Sequence, residues 1–207
     1  PNRSFFHAGT SHGFVTNAFN PGIGKWLDPA LNTGTTVFNR LEEAGIPWRV
    51  YYDERQLVSL TGMLHAPHLE KYWKSNFRTM TTFFEDVANG TLPAYSFIEP
   101  SIKLDNNDMN NPVGTMTRTD VDGTIIEGGG ISDVRAGEAL LDRIYTAIRG
   151  AACRWVLVVA CDMPFVSTEL FARLIDATGE DVDCVVPRSG RGLEPLCALY
   201  ARSAEAV

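Results

Sequence analysis

The chain has 207 residues, 44% of them hydrophobic and 21% charged, with a formal net charge of -7. That composition is globular and sufficient for a buried core, and the acidic balance excludes a protein that grips the nucleic-acid backbone through a basic face. No apolar run approaches the roughly 18 residues of a membrane-spanning helix, and Pro1-Asn2-Arg3 opens without signal-peptide architecture. The missing initiator Met suggests an N-terminus cut from something longer.

The run Ser4-Phe5-Phe6-His7-Ala8 is short, apolar and bounded by Gly9-Thr10-Ser11, which predicts a strand entering a tight turn or a helix start. Gly, Pro and Asn from Gly13 to Thr33 predict an irregular loop. Thr35 or Thr36 suits the N-cap of a helix with Val37, Phe38, Leu41 and Ala44 at helical spacing and Gly45 as its stop. Pro47 to Tyr52 predicts a strand. Leu69 to Asn89 carries Tyr72, Trp73, Phe77, Met80, Phe83 and Phe84, an aromatic face of two helices ended by Asn89-Gly90. Leu92 to Ile98 predicts a further strand, ended by Glu99-Pro100. Ser101 to Gly130 reads as a long surface loop with a small hairpin around Asp122-Gly123.

Asp133 suits the cap of a helix to Arg149, with Ala136, Leu140, Leu141, Ile144, Tyr145 and Ile148 as its buried face. Trp155 to Ala160 is a continuous apolar run, the pattern of a parallel strand buried on both faces. Ser167 caps a helix from Glu169 to Ala177, and Cys184 to Val186 and Cys197 to Tyr200 are later strands, making the chain α/β. All four cysteines lie from Cys153 onward, whereas the four histidines and every asparagine lie at or before Asn111. The cysteine spacings match no zinc framework, and Cys161 and Cys184 read as free buried thiols.

Three ordered runs, PNRSFFHAGTSHGFV from Pro1, TVFNRLEEAGIPWRVYYDE from Thr36 and FFEDVANGTLPAYSFIEPS from Phe83, resemble the bacterial phosphoesterase family of phospholipases C and acid phosphatases. The resemblance covers residues 1–148. It implies an alkaline-phosphatase-like three-layer α/β/α fold, hydrolysis of a phosphate ester or phospholipid head group, a divalent metal, and an exported protein. Its nucleophile is a Thr or Ser hydroxyl. Thr10, then Ser11, sits where a chain turn offers backbone N–H groups to a phosphoryl group. The same hydroxyls also suit a helix cap. DNNDMNNP from Asp105 is similar to the family's acidic loop, with Asn110 where the family has histidine; Asp108 is its candidate phosphate or metal ligand, equally suited to a solvated loop. The family's Glu-Asn metal motif would precede residue 1, and its Asp-Glu-His-Gly-Gly run is absent, which implies impaired phosphatase activity.

Within the segment from residue 149 on, the runs RWVLVVACDMPFVSTELFARLI from Arg154 and CVVPRSGRGLEPLCALY from Cys184 are similar to the C-terminal part of molybdenum cofactor guanylyltransferases. That resemblance implies a cytoplasmic, Rossmann-like nucleotidyltransferase segment using GTP. Asp162, at a strand end, would hold the magnesium that bridges nucleotide phosphates, while Arg188, Arg191 and Glu194 would face the substrate or form a charged turn. The family's Leu-Ala-Gly-Gly phosphate loop has no counterpart in residues 1–60. The sequence therefore supports an impaired phosphoesterase first, a guanylyltransferase second and an inactive chimera third.

Overall fold

The computed structural model describes residues 2–14, 23–101, 116–119, 125–128, 134–163 and 166–204. The run around Phe5 is helical, as α1 (Asn2–Ala8), where a strand is predicted. Short apolar runs carry no period that separates the two. Here the buried positions are Ser4 and His7, one turn apart, while Phe5 is 46% exposed. Gly9 then closes the helix at φ 65°, a left-handed conformation suited to glycine. A second short helix, α2 (Ile23–Leu27), lies inside the predicted loop.

Thr36, rather than Thr35, caps α3 (Val37–Glu43) in a capping box with Asn39. Gly45, at φ 65°, lets the chain turn toward β1 (Trp48–Tyr52). Ser59 caps α4 (Leu60–Leu64), and α5 (Ala66–Leu69), a 3-10 turn at Glu70–Tyr72 and α6 (Trp73–Asn76) follow. The predicted helix pair over Leu69 to Asn89 is interrupted by a strand, β2 (Phe77–Thr79), before α7 (Met80–Ala88). Three residues are too few to show a local pattern; pairing with β1 holds β2 extended. β3 is Tyr95–Glu99. β4 (Met116–Thr119) and β5 (Ile125–Gly128) pair antiparallel on either side of the predicted hairpin, whose Asp122 and Gly123 lie outside the described residues.

α8 (Val134–Ile148) matches the predicted helix, its Asp133 cap lying outside the described residues. The remaining elements are β6 (Trp155–Val159), α9 (Thr168–Asp176, capped by Ser167), β7 (Cys184–Val185), β8 (Arg188–Ser189), β9 (Gly192–Leu193) and β10 (Cys197–Ala201).

One sheet has the order β2-β1-β3 and is parallel throughout, with Tyr52 opposite Glu99 and Tyr52 opposite Thr79 at its carboxyl end. Alternation along β1 sends Trp48 and Val50 to a cluster with Phe38, Leu69, Phe77 and Phe97. It sends Tyr51 to the other face, among Met80, Phe83, Val87, Leu140 and Ala147. Helices thus cover both faces, with α8 on the Tyr51 side. Leu141, predicted to be buried there, is 37% exposed because it falls off the stripe formed by Ala136, Leu140 and Ala147.

A separate sheet has the order β6-β10-β7 and is antiparallel. The predicted parallel strand buried on both faces is therefore an edge strand in an antiparallel sheet. Among the described residues it borders only β10, and Leu157 is 38% exposed. An apolar run means two buried faces only where layers cover both sides. Cys184 is exposed at the opposite edge, contrary to expectation, while half-buried Cys161 packs against the Phe38 cluster. α8 also reaches this second region, where Tyr145 lies edge-on to Tyr200 at 6.3 Å.

Candidate functional site

The carboxyl ends of β1 and β3 bring two buried carboxylates to one edge of the parallel sheet, the usual place for a crevice in such sheets. Glu99, fully buried, accepts from Ser59 Oγ at 2.9 Å, Leu60 N at 2.6 Å and Thr61 N at 3.0 Å, and Arg3 Nη1 lies 3.4 Å away. Asp53, just beyond β1, accepts from Arg55 Nε at 2.7 Å and Nη2 at 2.6 Å. Sequence reading treats Glu99-Pro100 only as a strand stop. The signal missed is a carboxylate directly after an apolar strand.

Beside this edge, α1 leads into the turn that carries the candidate hydroxyls. Ser4 Oγ donates to the Thr10 carbonyl at 2.9 Å, fixing the turn against the helix. The Thr10 hydroxyl oxygen accepts from the His12 N–H at 3.0 Å, and both residues are half-buried. Ser11, also half-buried, contributes its carbonyl to a bond from Phe14 N at 2.9 Å. Gly34 packs close: a Cβ there would stand 2.9 Å from Thr10 Cγ2 and 3.0 Å from His12 Cε1. The loop leaving α2 therefore forms a wall shared by Thr10 and His12.

The fold gathers the four histidines, a convergence that spacing along the chain does not reveal. His7 and His65 are buried with ring centres 5.8 Å apart, and His68 Nε2 is 2.8 Å from the Asn32 carbonyl. Burial first, then His65 and Arg3, holds His7 well below the usual imidazole range. Burial, with help from His12 and His68, pushes His65 down to about 3. His12 is lowered by burial and by His68, against an opposing hydrogen bond from its ring to the Leu31 carbonyl. His7, His12 and His65 are thus all held toward the neutral form. Both ring nitrogens of His7 and of His65, together with Thr61 Oγ1 and Asn32 Oδ1, have no hydrogen-bond partner.

Among the described residues no three His, Cys, Asp or Glu side chains are placed to hold a metal ion. The described residues alone thus do not fit the metal that the phosphoesterase resemblance implies, and Asp108 lies outside them.

The second group of predicted residues is spread over the antiparallel sheet. Asp162 is exposed in the turn after β6, and Arg188 and Arg191 are exposed on the β8-β9 hairpin. Glu194 is half-buried and accepts from Ser189 Oγ at 2.5 Å, while Arg191 N donates to the same hydroxyl at 3.0 Å. Val159 faces Cys197, and Ala160 N bonds Leu196 O at 2.8 Å, which puts Asp162 and Glu194 at one end of the sheet. The described ion pairs do not join Asp162 to either arginine.

Two families match the chain. The model of the MobA-like NTP transferase domain matches residues 130–207, and that of the Phosphoesterase family matches residues 1–155, so the two overlap on α8 and the start of β6. A probable molybdenum cofactor guanylyltransferase of Pelotomaculum thermopropionicum is 46% identical over 72 residues, which is 35% of this chain and 35% of that protein. A probable molybdenum cofactor guanylyltransferase of Clostridium perfringens is 32% identical over 75 residues, 36% and 37% of the two chains. The molybdenum cofactor guanylyltransferase of Desulfosudis oleivorans is 34% identical over 59 residues, 28% and 29%. The chain thus spans about a third of the length of these curated relatives. Among the described residues no helix is long and apolar enough to cross a membrane. By the larger match, over residues 1–155, the chain belongs to the Phosphoesterase family.

Proposed function

We propose that residues 1–148 form a phosphate-ester hydrolase segment of the phospholipase C and acid phosphatase type, in an alkaline-phosphatase-like three-layer arrangement. Thr10 is its nucleophile and Ser11 the alternative hydroxyl. The observation that carries this reading is the bond from the His12 N–H to Thr10 Oγ1, in a turn beside imidazoles held toward the neutral form. A backbone N–H aimed at a hydroxyl oxygen favours the alkoxide that forms as the proton leaves. The hydroxyl then attacks phosphorus, the alcohol leaves, and water releases phosphate from the phosphorylated threonine. Asp108 is assigned to phosphate or metal binding. Without a convergent metal site among the described residues, the expected rate is low. Hydrolysis of p-nitrophenyl phosphate or a phosphorylcholine ester, lost in Thr10→Ala, tests the reading; turnover unaffected by that substitution rejects Thr10.

A second reading has its own support. Residues 130–207 match the MobA-like NTP transferase domain, and Asp162 and Glu194 share one end of a sheet. In this reading the segment is Rossmann-like, Asp162 holds the magnesium of bound GTP, and Arg188, Arg191 and Glu194 face the transfer substrate. Magnesium-dependent GTP binding that disappears in Asp162→Ala tests it. If neither GTP nor a phosphate ester shifts the melting temperature, the inactive chimera is preferred.

A further inference from the structure

We propose that Ser4 is a positioning residue for Thr10, and that the buried Glu99–Arg3 pair anchors the helix on which Ser4 stands; the inference rests on the reading of Thr10 as nucleophile. A hydroxyl attacks phosphorus only along a narrow approach, and an error of about 1 Å can cost about 100-fold in rate. Whatever fixes the Thr10 turn therefore matters to turnover.

The turn begins where α1 stops. Gly9 N donates to the Phe5 carbonyl at 2.8 Å, and the left-handed Gly9 then takes the chain out of the helix. Thr10, next in the chain, has its carbonyl held by Ser4 Oγ at 2.9 Å, across six residues. Ser4 is fully buried, and a serine hydroxyl has one proton to give. That proton is committed to the Thr10 carbonyl, so Ser4 orients the turn and has no donor left for a phosphoryl group. Thr10 is thus set from three directions: by Ser4 through its carbonyl, by the His12 N–H at Oγ1, and by the Gly34 wall at Cγ2.

Ser4 holds the turn only as firmly as α1 is itself held. Seven residues are too few for a helix to persist alone in water, so its place comes from its contacts. Near one end Arg3 Nη1 lies 3.4 Å from Glu99 Oε2, the two side chains being 13% and 0% exposed, and the guanidinium stands 5.9 Å from the centre of the Phe97 ring. Near the other end the His7 ring lies 4.5 Å from Phe97 and 4.9 Å from Phe38. Glu99 is gripped in turn by Ser59 Oγ and by the N–H groups of Leu60 and Thr61.

A continuous path therefore runs from the end of β3 through Glu99 to Arg3, along the chain to Ser4, and across to the Thr10 carbonyl. Its members are locked by burial and by their own bonds, the condition for holding a reactive group within a fraction of an ångström. The buried carboxylate at the sheet edge acts on the reaction through this path, without touching the reacting atoms.

The test is steady-state hydrolysis of p-nitrophenyl phosphate by the full chain. Ser4→Ala should lower kcat about 100-fold with KM within about twofold of wild type, the pattern of lost alignment rather than lost binding. Ser4→Thr, which restores the hydroxyl, should recover at least about a tenth of the wild-type kcat. Glu99→Gln tests the same path without altering the turn: it keeps an acceptor for Ser59 but gives up the charge that faces Arg3, and should lower kcat about 10-fold. Thr36→Ala, which removes the α3 cap outside this path, is the control; it should lower the melting temperature and leave kcat unchanged where both proteins are folded. Equal loss of kcat in Thr36→Ala and Ser4→Ala would make Ser4 merely structural and overturn the inference. Wild-type kcat in Ser4→Ala, with Thr10→Ala inactive, overturns it while leaving the Thr10 reading intact. Absence of Thr10-dependent hydrolysis in wild type overturns both.

Discussion

The parallel sheet β2-β1-β3 and the antiparallel sheet β6-β10-β7 each end a strand near an acidic residue, Glu99 in the first and Asp162 in the second. Glu99 is fully buried, bonded by Ser59 and two backbone N–H groups, with Arg3 alongside. Asp162 is exposed in a turn. The contrast extends beyond these two residues. Among the described residues every buried polar or charged side chain lies between Ser4 and Ser101, whereas the buried positions from Ala136 on are alanines and Gly137 with Leu140, Leu174, Cys197 and Leu199. Burying a polar group is costly unless it is paired. The first region meets that cost around one sheet edge, and the second keeps its charges in water. A strand-end carboxylate therefore does different work according to what covers it.

The sharpest way to break the comparison is Glu99→Ala. It leaves Arg3 and the N–H groups of Leu60 and Thr61 facing a cavity, and loss of one partner of a buried ion pair costs about 3–5 kcal/mol. Urea unfolding should show that loss. A change below about 1 kcal/mol would mean that water already reaches the carboxylate.

Comparable in size is the acid sensitivity of the first region. His65 falls to about 3 in the folded state from an ordinary 6.5, and His7 is also well below its usual range. The unfolded chain binds protons below the ordinary value that the folded chain refuses. Stability is thus fully present above about pH 6.5 and declines toward about pH 3, by up to about 1.4 kcal/mol per pH unit for each imidazole. Urea midpoints across that window should fall with pH, less steeply in His65→Phe. Equal slopes in the two proteins remove His65 from the explanation.

A smaller effect is expected at the wall between α2 and the Thr10 turn. Gly34→Ala drives a methyl group against Thr10 Cγ2 and His12 Cε1, and overpacking of this kind costs about 1–3 kcal/mol. Melting should register the loss, and chemical shifts of both residues should move. A neutral substitution with unmoved shifts would show that the wall yields freely.

Much of the fold is legible because its signals are local. The cap at Thr36, the stop at Gly45 and the stripe through Ala136, Leu140 and Ala147 each need only a few neighbouring residues. What escapes is whatever depends on distant partners. α1 hides because its buried face is polar, Ser4 and His7, so the visible Phe5 and Phe6 point to the wrong element. β2 exists through its register with β1. The direction of β6 follows from β10, some forty residues on. The candidate site divides in the same way. A turn rich in Thr, Ser, His and Gly announces Thr10, but neither the burial of Glu99 nor the meeting of His7 with His65 can be read before the chain is folded.

The smallest expected effect closes the comparison from the other side. Asp162→Ala changes an exposed turn residue outside the described ion pairs, so unfolding free energy should stay within about 0.5 kcal/mol of wild type. That near-neutrality makes it informative about ligands. Saturating GTP with magnesium should raise the melting temperature of wild type and leave Asp162→Ala unmoved if the carboxylate holds the metal, because only binding to the folded state stabilises it. If both proteins rise equally, nucleotide binds elsewhere; if Asp162→Ala alone destabilises the chain by more than about 1 kcal/mol, the residue is structural and the difference from Glu99 is one of degree. A ligand-dependent effect at Asp162 set against a ligand-independent one at Glu99 would assign binding to the exposed carboxylate and architecture to the buried one.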